Sequence, residues 1–144
     1  MQPDKVDWQI IDLLSEQYET NTMIAKKLGV SEGMIRQRIK RLQDADIFKI
    51  RALRNTEVLE NQQLAIVTAN ISESKLLDKK AKEILTLKNV LSVSILSGQY
   101  DLLIEVLVDS NKGLIKFLTE QLSKIEGISK TETFLMLKSY NKWV

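Results

Sequence analysis

Residues 29–47 read GVSEGMIRQRIKRLQDADI, and this stretch decides the fold of the N-terminal part of the chain. Gly29 can end one helix in the left-handed conformation, and Ser31 can cap the helix that follows. The buried face of the second helix is formed by aliphatic residues at i, i+4 and i+7, which are Ile35, Ile39 and Leu42. Two helices joined by so tight a turn predict a helix-turn-helix.

The basic residues of the chain are concentrated on this helix and just after it. Residues 26–54 carry nine basic and three acidic side chains, a net charge of +6, whereas residues 1–25 have a net charge of −4. All five arginines fall in this basic stretch: Arg36, Arg38, Arg41, Arg51 and Arg54. A solvated basic helix face is the alternative interpretation. Because guanidinium groups suit phosphate oxygens and guanine edges, the pattern favours double-stranded DNA as a partner.

The early turns of a recognition helix enter the major groove, and this predicts which side chains meet DNA. The residues expected to face the bases are Met34, Gln37 and Arg38. Those expected to meet phosphates are Arg36, Lys40, Arg41 and Arg51. Ser31 and Glu32, at the start of the helix, complete the predicted DNA-binding set. Gln37 can form a bidentate pair with adenine. An intramolecular salt bridge is the alternative role for Arg38.

The composition argues against several classes of function. The chain has no cysteine and no histidine, so disulfides, histidine-dependent catalysis and the usual zinc or haem ligands are excluded. No glycine-rich phosphate loop occurs, and we expect no metal, no cofactor and no enzymatic activity. No apolar run approaches the roughly 20 residues that span a bilayer, and no secretory start is visible. These features predict a cytoplasmic protein without a membrane partner.

The chain as a whole predicts an α+β fold in three parts. Residues 1–50 form the helix-turn-helix domain, and residues 51–63 form a linker strand and loop. Residues 47–54 alternate imperfectly, which predicts a short strand at this boundary. Residues 64–144 alternate strands and helices in the order βαββαβ, the ferredoxin-like arrangement. The family resemblance described below implies that this second domain mediates dimerisation and effector sensing.

The elements of the second domain follow from periodicity and capping residues. Strands are predicted at residues 64–71, 90–96, 101–108 and 130–137. Ser74 is expected to cap the first helix, with Ile84 and Leu85 directed inward. Ser110 or Asp109 is expected to cap the second helix. Its predicted inward residues are Leu114, Ile115, Leu118, Leu122 and Ile125.

The third strand of this domain, residues 101–108, is nearly continuous in apolar residues. A sheet covered by helices on one face should need apolar residues on that face only. The second apolar face predicts a homodimer with opposed sheets. A strand buried inside a larger single domain is the competing account.

Three local motifs, in order, resemble the Lrp/AsnC family of transcription regulators over essentially the whole chain. They are the opening helix at 6–14, the stretch LGVSEGMIRQRIKRLQDADI at 28–47, and SGQYDLLIEV at 97–106. Asp46 departs from the family pattern, which usually has glycine there. The resemblance implies a DNA-binding regulator that pairs through its C-terminal sheet, with dimers that can assemble further. It also implies an effector, often an amino acid, held near the Gly-x-x-Asp turn.

The residues of that turn allow an effector site to be specified. Gly98 lets a ligand approach the backbone closely, amides beside it can hold a carboxylate, and Asp101 can meet an ammonium group. The predicted effector-binding residues are Gly98, Gln99, Tyr100, Asp101, Thr131 and Thr133. A purely structural role in the turn is the alternative for Gly98 and Asp101.

Two other functions remain open from the sequence. The first is an architectural DNA-binding protein of the same build that has no ligand. The second is an enzyme, since siroheme decarboxylases share this two-domain build. That family uses histidine in its tetrapyrrole chemistry, and the present chain has none.

Overall fold

A computed structural model describes all residues from 1 to 144, and its contacts divide the chain into two compact units, Met1–Ala52 and Leu53–Val144. The first unit contains three helices: α1 (Lys5–Glu16), α2 (Asn21–Leu28) and α3 (Glu32–Asp44). Its core is formed by buried aliphatic side chains from all three helices, which are Ile10, Ile24, Ala25, Ile35 and Ile39.

The helix boundaries of the first unit follow from local capping. The Thr20 hydroxyl accepts from the Met23 N–H at the start of α2, and the Ser31 hydroxyl accepts from the Met34 N–H at the start of α3. Gly29 ends α2 with φ +67°, the left-handed conformation that glycine adopts without a steric penalty. The predicted helix-turn-helix is therefore present.

The start of α1 is fixed by a reciprocal cap that the sequence analysis did not identify. The Asp7 N–H donates to Asp4 Oδ1 at 2.9 Å, and the Asp4 N–H donates to Asp7 Oδ2 at 3.0 Å. This is a capping box in which aspartate takes the place of the glutamate or glutamine usual at its last position.

The predicted strand at residues 47–54 is wrong. These residues form no regular structure, and only Asn55, after them, makes an isolated bridge, with Trp143. A strand needs a partner along its length, and here backbone pairing is confined to the end of the segment. The Arg54 N–H donates to the Val144 carbonyl at 2.7 Å, and the Val144 N–H donates to the Arg54 carbonyl at 3.0 Å.

The second unit is built on a four-stranded antiparallel sheet in the order β2-β3-β1-β4. Its strands are β1 (Gln63–Ile71), β2 (Val90–Ile95), β3 (Leu102–Val108) and β4 (Ile128–Leu135). The helix α4 (Leu77–Leu85) connects β1 to β2, and α5 (Asn111–Lys116) follows β3. This is the βαββαβ order of the ferredoxin-like fold, as predicted.

One face of the sheet packs against the helices and forms the core of the second unit. Alternate residues of β3 are fully buried there, and β1 contributes small and branched side chains that α4 and α5 cover. The main buried contributors are Val67, Ile84, Ile104, Val106 and Phe117. The other face of the sheet has no helix over it.

The helices of the second unit differ in detail from the prediction. Ser74 does not cap α4, because it lies within a 3-10 turn at Ser74–Leu76 that has no side-chain cap. Leu85 is exposed, because Ile84 occupies the position of this turn that faces the core and the next helical residue is rotated about 100° away from it.

Ser110 caps α5 as expected, through a bond from the Gly113 N–H. The helix then widens into a π-turn at Phe117–Gln121 and tightens again at Leu122–Lys124. With Leu114 and Phe117 buried three residues apart, Ile115 points to solvent and the prediction for it is wrong. No helix in either unit has both the length and the apolar character that crossing a membrane requires.

Candidate DNA interface and effector turn

The outer face of α3 carries side chains that make no ion pair or side-chain hydrogen bond within the chain. Gln37 and Lys40 are both exposed there, opposite the buried Ile35 and Ile39. Their amide and ammonium groups point away from the core and are available to a partner. Arg51, after the helix, is exposed in the same way. Among the polar side chains predicted to contact DNA, these three have no intramolecular ion pair or side-chain hydrogen bond.

Arg36 belongs to a surface network at the start of α3. Its Nη2 donates to Glu32 Oε1 at 2.5 Å, and the Thr22 hydroxyl donates to Glu32 Oε2 at 2.9 Å. The hydrogen bonds from Thr22 and then Arg36 hold the pKa of Glu32 below its ordinary value. An exposed pair of this kind contributes little to stability, so Arg36 can exchange Glu32 for a phosphate at little cost.

Arg38 and Arg41 are bound within the first unit, to acids of α1. Arg38 Nη1 donates to Asp4 Oδ2 and Asp7 Oδ1, both at 2.7 Å. Arg41 Nη2 donates to both carboxylate oxygens of Asp7, at 3.0 and 2.8 Å. The salt bridge considered as an alternative for Arg38 is therefore present. Because both carboxylates bind Nη1, a bidentate guanine contact that leaves them in place would have to use Nη2 and Nε of Arg38.

The acids of this network are held in their charged form. Burial opposes ionisation of Asp7, but hydrogen bonds from the Asp4 backbone and from Arg38 outweigh it and lower its pKa. The pKa of Asp4 is lowered too, first by the hydrogen bond from Arg38. These ion pairs tie α3 to the N-terminus of α1.

Two other predicted DNA contacts have structural positions at the start of α3. The Ser31 hydroxyl is engaged as the helix cap, at 3.2 Å from the Met34 backbone nitrogen. Met34 is half-buried and lies beside Gln37, Arg38 and Arg41 along one side of the helix. Its thioether can therefore offer an apolar contact next to the polar outer face.

In the second unit, Asp101 fastens the turn between β2 and β3 to the end of β1. Its Oδ2 accepts from the Ile71 N–H at 2.8 Å, while its own N–H lies 3.2 Å from Asn70 Oδ1. The Asn70 amide donates in turn to the Gln99 carbonyl at 3.2 Å. The carboxylate that the sequence predicts for an effector's ammonium group thus has a structural partner inside the chain.

The turn itself leaves its backbone open. Gly98 has φ +139°, a conformation that other residues rarely adopt, and no atom lies within 4 Å of the place where a Cβ would be. The strain at this φ, rather than a lack of space, therefore requires glycine. The open surface around Gly98 would let a ligand reach the backbone.

Thr131 and Thr133, which the sequence predicts to contact the effector, lie on the helix-covered face of the sheet. They pair with Ala69 and Val67, whose side chains are buried there. The reason is the alternation of β4, which sends Glu132 to the opposite face. The alternation predicted for β4 holds, but the sequence alone does not show which set faces the turn.

Glu132 and Lys130 of β4 are the side chains that the structure brings to the turn instead. The Tyr100 hydroxyl donates to Glu132 Oε2, and this bond raises the pKa of Tyr100. The Lys130 ammonium lies 5.9 Å from the centre of the Tyr100 ring, a cation–π distance. The cluster combines a carboxylate, a hydroxyl and an ammonium group on the uncovered face, and only the pairing register of β4 reveals it.

The role of Asp101 in the turn leads to a prediction about stability. Replacing Asp101 with alanine leaves the half-buried Ile71 N–H without its acceptor, which should lower the free energy of unfolding by about 1–3 kcal/mol. Asp101→Asn, which keeps an acceptor oxygen, should lose clearly less. Denaturant unfolding of the second unit, followed by amide hydrogen exchange of β1, measures both. Equal stability of wild type and Asp101→Ala would show that the bond is not structural.

Comparison with known proteins gives two family matches that together cover almost the whole chain. Residues 64–142 match the Lrp/AsnC ligand binding domain, and residues 3–49 match a winged helix-turn-helix DNA-binding domain. An HTH-type transcriptional regulator of Pyrococcus furiosus is 33% identical over 142 residues, which cover 97% of this chain and 95% of that protein. The proline dehydrogenase transcriptional activator of Rhizobium radiobacter is 26% identical, with 94% and 90% covered.

Solved structures of low sequence identity share the fold. Escherichia coli AsnC superimposes with a TM-score of 0.71 at 22% identity, covering 96% of this chain and 95% of AsnC. A Neisseria meningitidis transcriptional regulator, solved as a complex with L-Met, gives a TM-score of 0.73 at 24% identity, with 98% and 94% covered. With both domain matches, a relative aligned from end to end and the helix-turn-helix in place, the chain belongs to the Lrp/AsnC family of DNA-binding transcriptional regulators.

Proposed function

We propose that the outer face of α3 reads DNA, with Gln37 directed at base edges and Arg36, Lys40 and Arg51 at phosphates. The observation that carries this assignment is that Gln37 and Lys40 are exposed and make no intramolecular bond. A free amide can offer a donor and an acceptor to adenine at once. Met34 adds an apolar contact beside it. Glu32 orients Arg36, and Arg38 and Arg41 support the helix from the side of α1.

Lys40→Ala should weaken binding to all duplexes evenly and make the salt dependence less steep. One lost phosphate contact reduces the slope of log K against log salt by about 0.9. Fluorescence anisotropy over a range of salt concentrations measures the slope. Lys79→Ala is the matched control, since it removes the same charge from an exposed position in the second unit. If the two variants had the same slope as wild type, Lys40 would not contact DNA.

We propose further that the chain forms a homodimer through the uncovered face of its sheet. The register places Ile66 opposite Phe134 on β4, and Leu103 and Leu107 continue the same face on β3. Phe134 is 46% exposed, although it lies within β4 rather than in a loop. The charge of Glu105 on this face is balanced by Lys142 and by a 2.8 Å bond from Ser92, so it need not prevent close contact. Dimers of this kind can assemble further.

Phe134→Asp should dissociate the dimer, because it places a charge within the proposed apolar contact. Light scattering should give at least twice the chain mass of 16.5 kDa for wild type and a value near that mass for the variant. Ile115→Asp is the control, since Ile115 is 59% exposed on the outer side of α5. A wild-type mass of a single chain at micromolar concentration would contradict the proposal.

We infer that a small effector, an amino acid, binds at the turn from Ser97 to Asp101. The amides around Gly98 suit its carboxylate, with Gln99 and Tyr100 beside them. Glu132 is exposed and has only Oε2 engaged, by Tyr100, so it can meet the ammonium group. The L-Met complex of the Neisseria relative supports this class of ligand. An architectural protein without a ligand is the alternative.

A panel of amino acids in a thermal-shift assay tests this inference. A ligand at about 100 times its Kd should add about 2.7 kcal/mol to the free energy of unfolding. Glu132→Gln should weaken the effect of the active amino acid, whereas Glu60→Gln, at an exposed position outside the turn, should not. If no amino acid stabilises the wild-type protein, the architectural alternative is favoured.

We propose a regulatory role without catalysis. The support comes from the family, whose matched relatives are named as transcriptional regulators, and from a chain without histidine or cysteine. A regulator of this kind acts where the DNA is, which agrees with the cytoplasmic location expected from the sequence.

A further inference from the structure

Asp7 is a buried charge at the edge of the DNA-reading helix. Its residue surface is 1% exposed, and its two oxygens accept from the Asp4 N–H, from Arg38 and from Arg41. Asp4 lies at the mouth of the network, with a side chain that is 53% exposed, and binds the same nitrogen of Arg38. Two aspartates therefore neutralise two of the arginines of α3.

The basic side chains of α3 consequently differ in how readily they can reach a phosphate. Lys40 is free, and Arg36 has an exposed partner that contributes little. Arg38 and Arg41, by contrast, share a carboxylate that would be left buried and charged if they moved away. Breaking a buried pair costs much more than separating two exposed ions. The affinity for nonspecific DNA increases with the number of phosphates that the protein neutralises. It therefore depends on how many of these basic side chains can reach a phosphate.

We propose that Asp7 is a positioning residue that determines specificity: it withholds Arg38 and Arg41 from indiscriminate phosphate binding and holds them beside Met34 and Gln37. The proposal rests on α3 being the DNA-reading helix. In this arrangement the two guanidinium groups form the wall of the base-reading face. The affinity for the specific site then comes from the shape of the base-reading face and from Gln37. The affinity for nonspecific DNA is lower, because two cations do not contact its phosphates. The protein discriminates better because part of its positive charge is kept away from the DNA backbone.

A merely structural tether between α1 and α3 gives a different expectation. If Asp7 only held the helices together, removing its charge would weaken binding to every duplex or leave it unchanged. If Asp7 withholds the arginines, removing its charge releases them, and binding to nonspecific DNA becomes stronger and more sensitive to salt. The sign of the change in nonspecific affinity separates the two roles.

The test uses Asp7→Asn in the full chain, with two duplexes as probes. One is the duplex that the wild-type protein selects from a random pool, and the other is a scrambled duplex of the same length. Asp12→Asn is the matched control, because Asp12 is an exposed acid of the same helix and takes part in none of the ion pairs of the first unit. Asparagine keeps the size of the side chain and an acceptor for the Asp4 N–H. Hydrogen exchange of α3 verifies that the variant is folded.

For Asp7→Asn we expect tighter binding to the scrambled duplex and a salt slope steeper by about 0.9, the value of one added phosphate contact. The ratio of specific to nonspecific affinity should fall, while Asp12→Asn keeps the wild-type slope and ratio. A parallel loss of affinity for both duplexes, or values equal to those of Asp12→Asn, overturns the proposal. If Asp7→Asn does not fold, Asp4→Asn decides the question by the same readouts, since asparagine caps a helix as well as aspartate does.

Discussion

The carboxylate of Asp7 constrains the first unit more than any other single group. This buried charge accepts hydrogen bonds from two guanidinium groups, and removing either of them would destabilise the first unit. The same residue completes the cap of α1, so the start of one helix and the side of another are fixed by one group. The position of α3 relative to α1 follows from this, and so does the choice of side chains that α3 can present outward.

In the second unit the corresponding constraint is the pairing of β1 with two neighbours. Because β1 lies between β3 and β4, its residues 65–69 are paired on both sides. A shift by one residue would exchange the core with the open surface. This is why Thr68 lies on the uncovered face while Val67 is in the core. The Asp101 carboxylate adds a bond from the turn to Ile71 and so fixes the β2–β3 turn against the same strand.

The structural features that were predicted correctly from the sequence are those that local interactions determine. Thr20 and Ser31 cap helices because their hydroxyls reach amides three residues on, and Gly29 has the backbone freedom to end α2; both are properties of short stretches. The order of strands and helices was predictable for the same reason. The strand at 47–54 failed because alternation does not provide a partner. The face on which Thr131 and Thr133 lie was not predictable, because it depends on the register between strands. Arg38 was assigned outward because its acceptors, Asp4 and Asp7, are distant in sequence.

The pairing of Arg54 with Val144 has a consequence for how the two units are joined. Val144 both donates to and accepts from the Arg54 backbone, which fixes Arg54 to the second unit. Phe48 packs at the edge of the first unit's core, so only residues 49–53 remain as a tether. In the proposed dimer, a short tether would give the two DNA-binding modules a high effective concentration for neighbouring sites, and a longer tether would lower it. Loss of the Arg54–Val144 pairing would therefore act as a lengthening of the tether, although Val144 lies far from it in sequence.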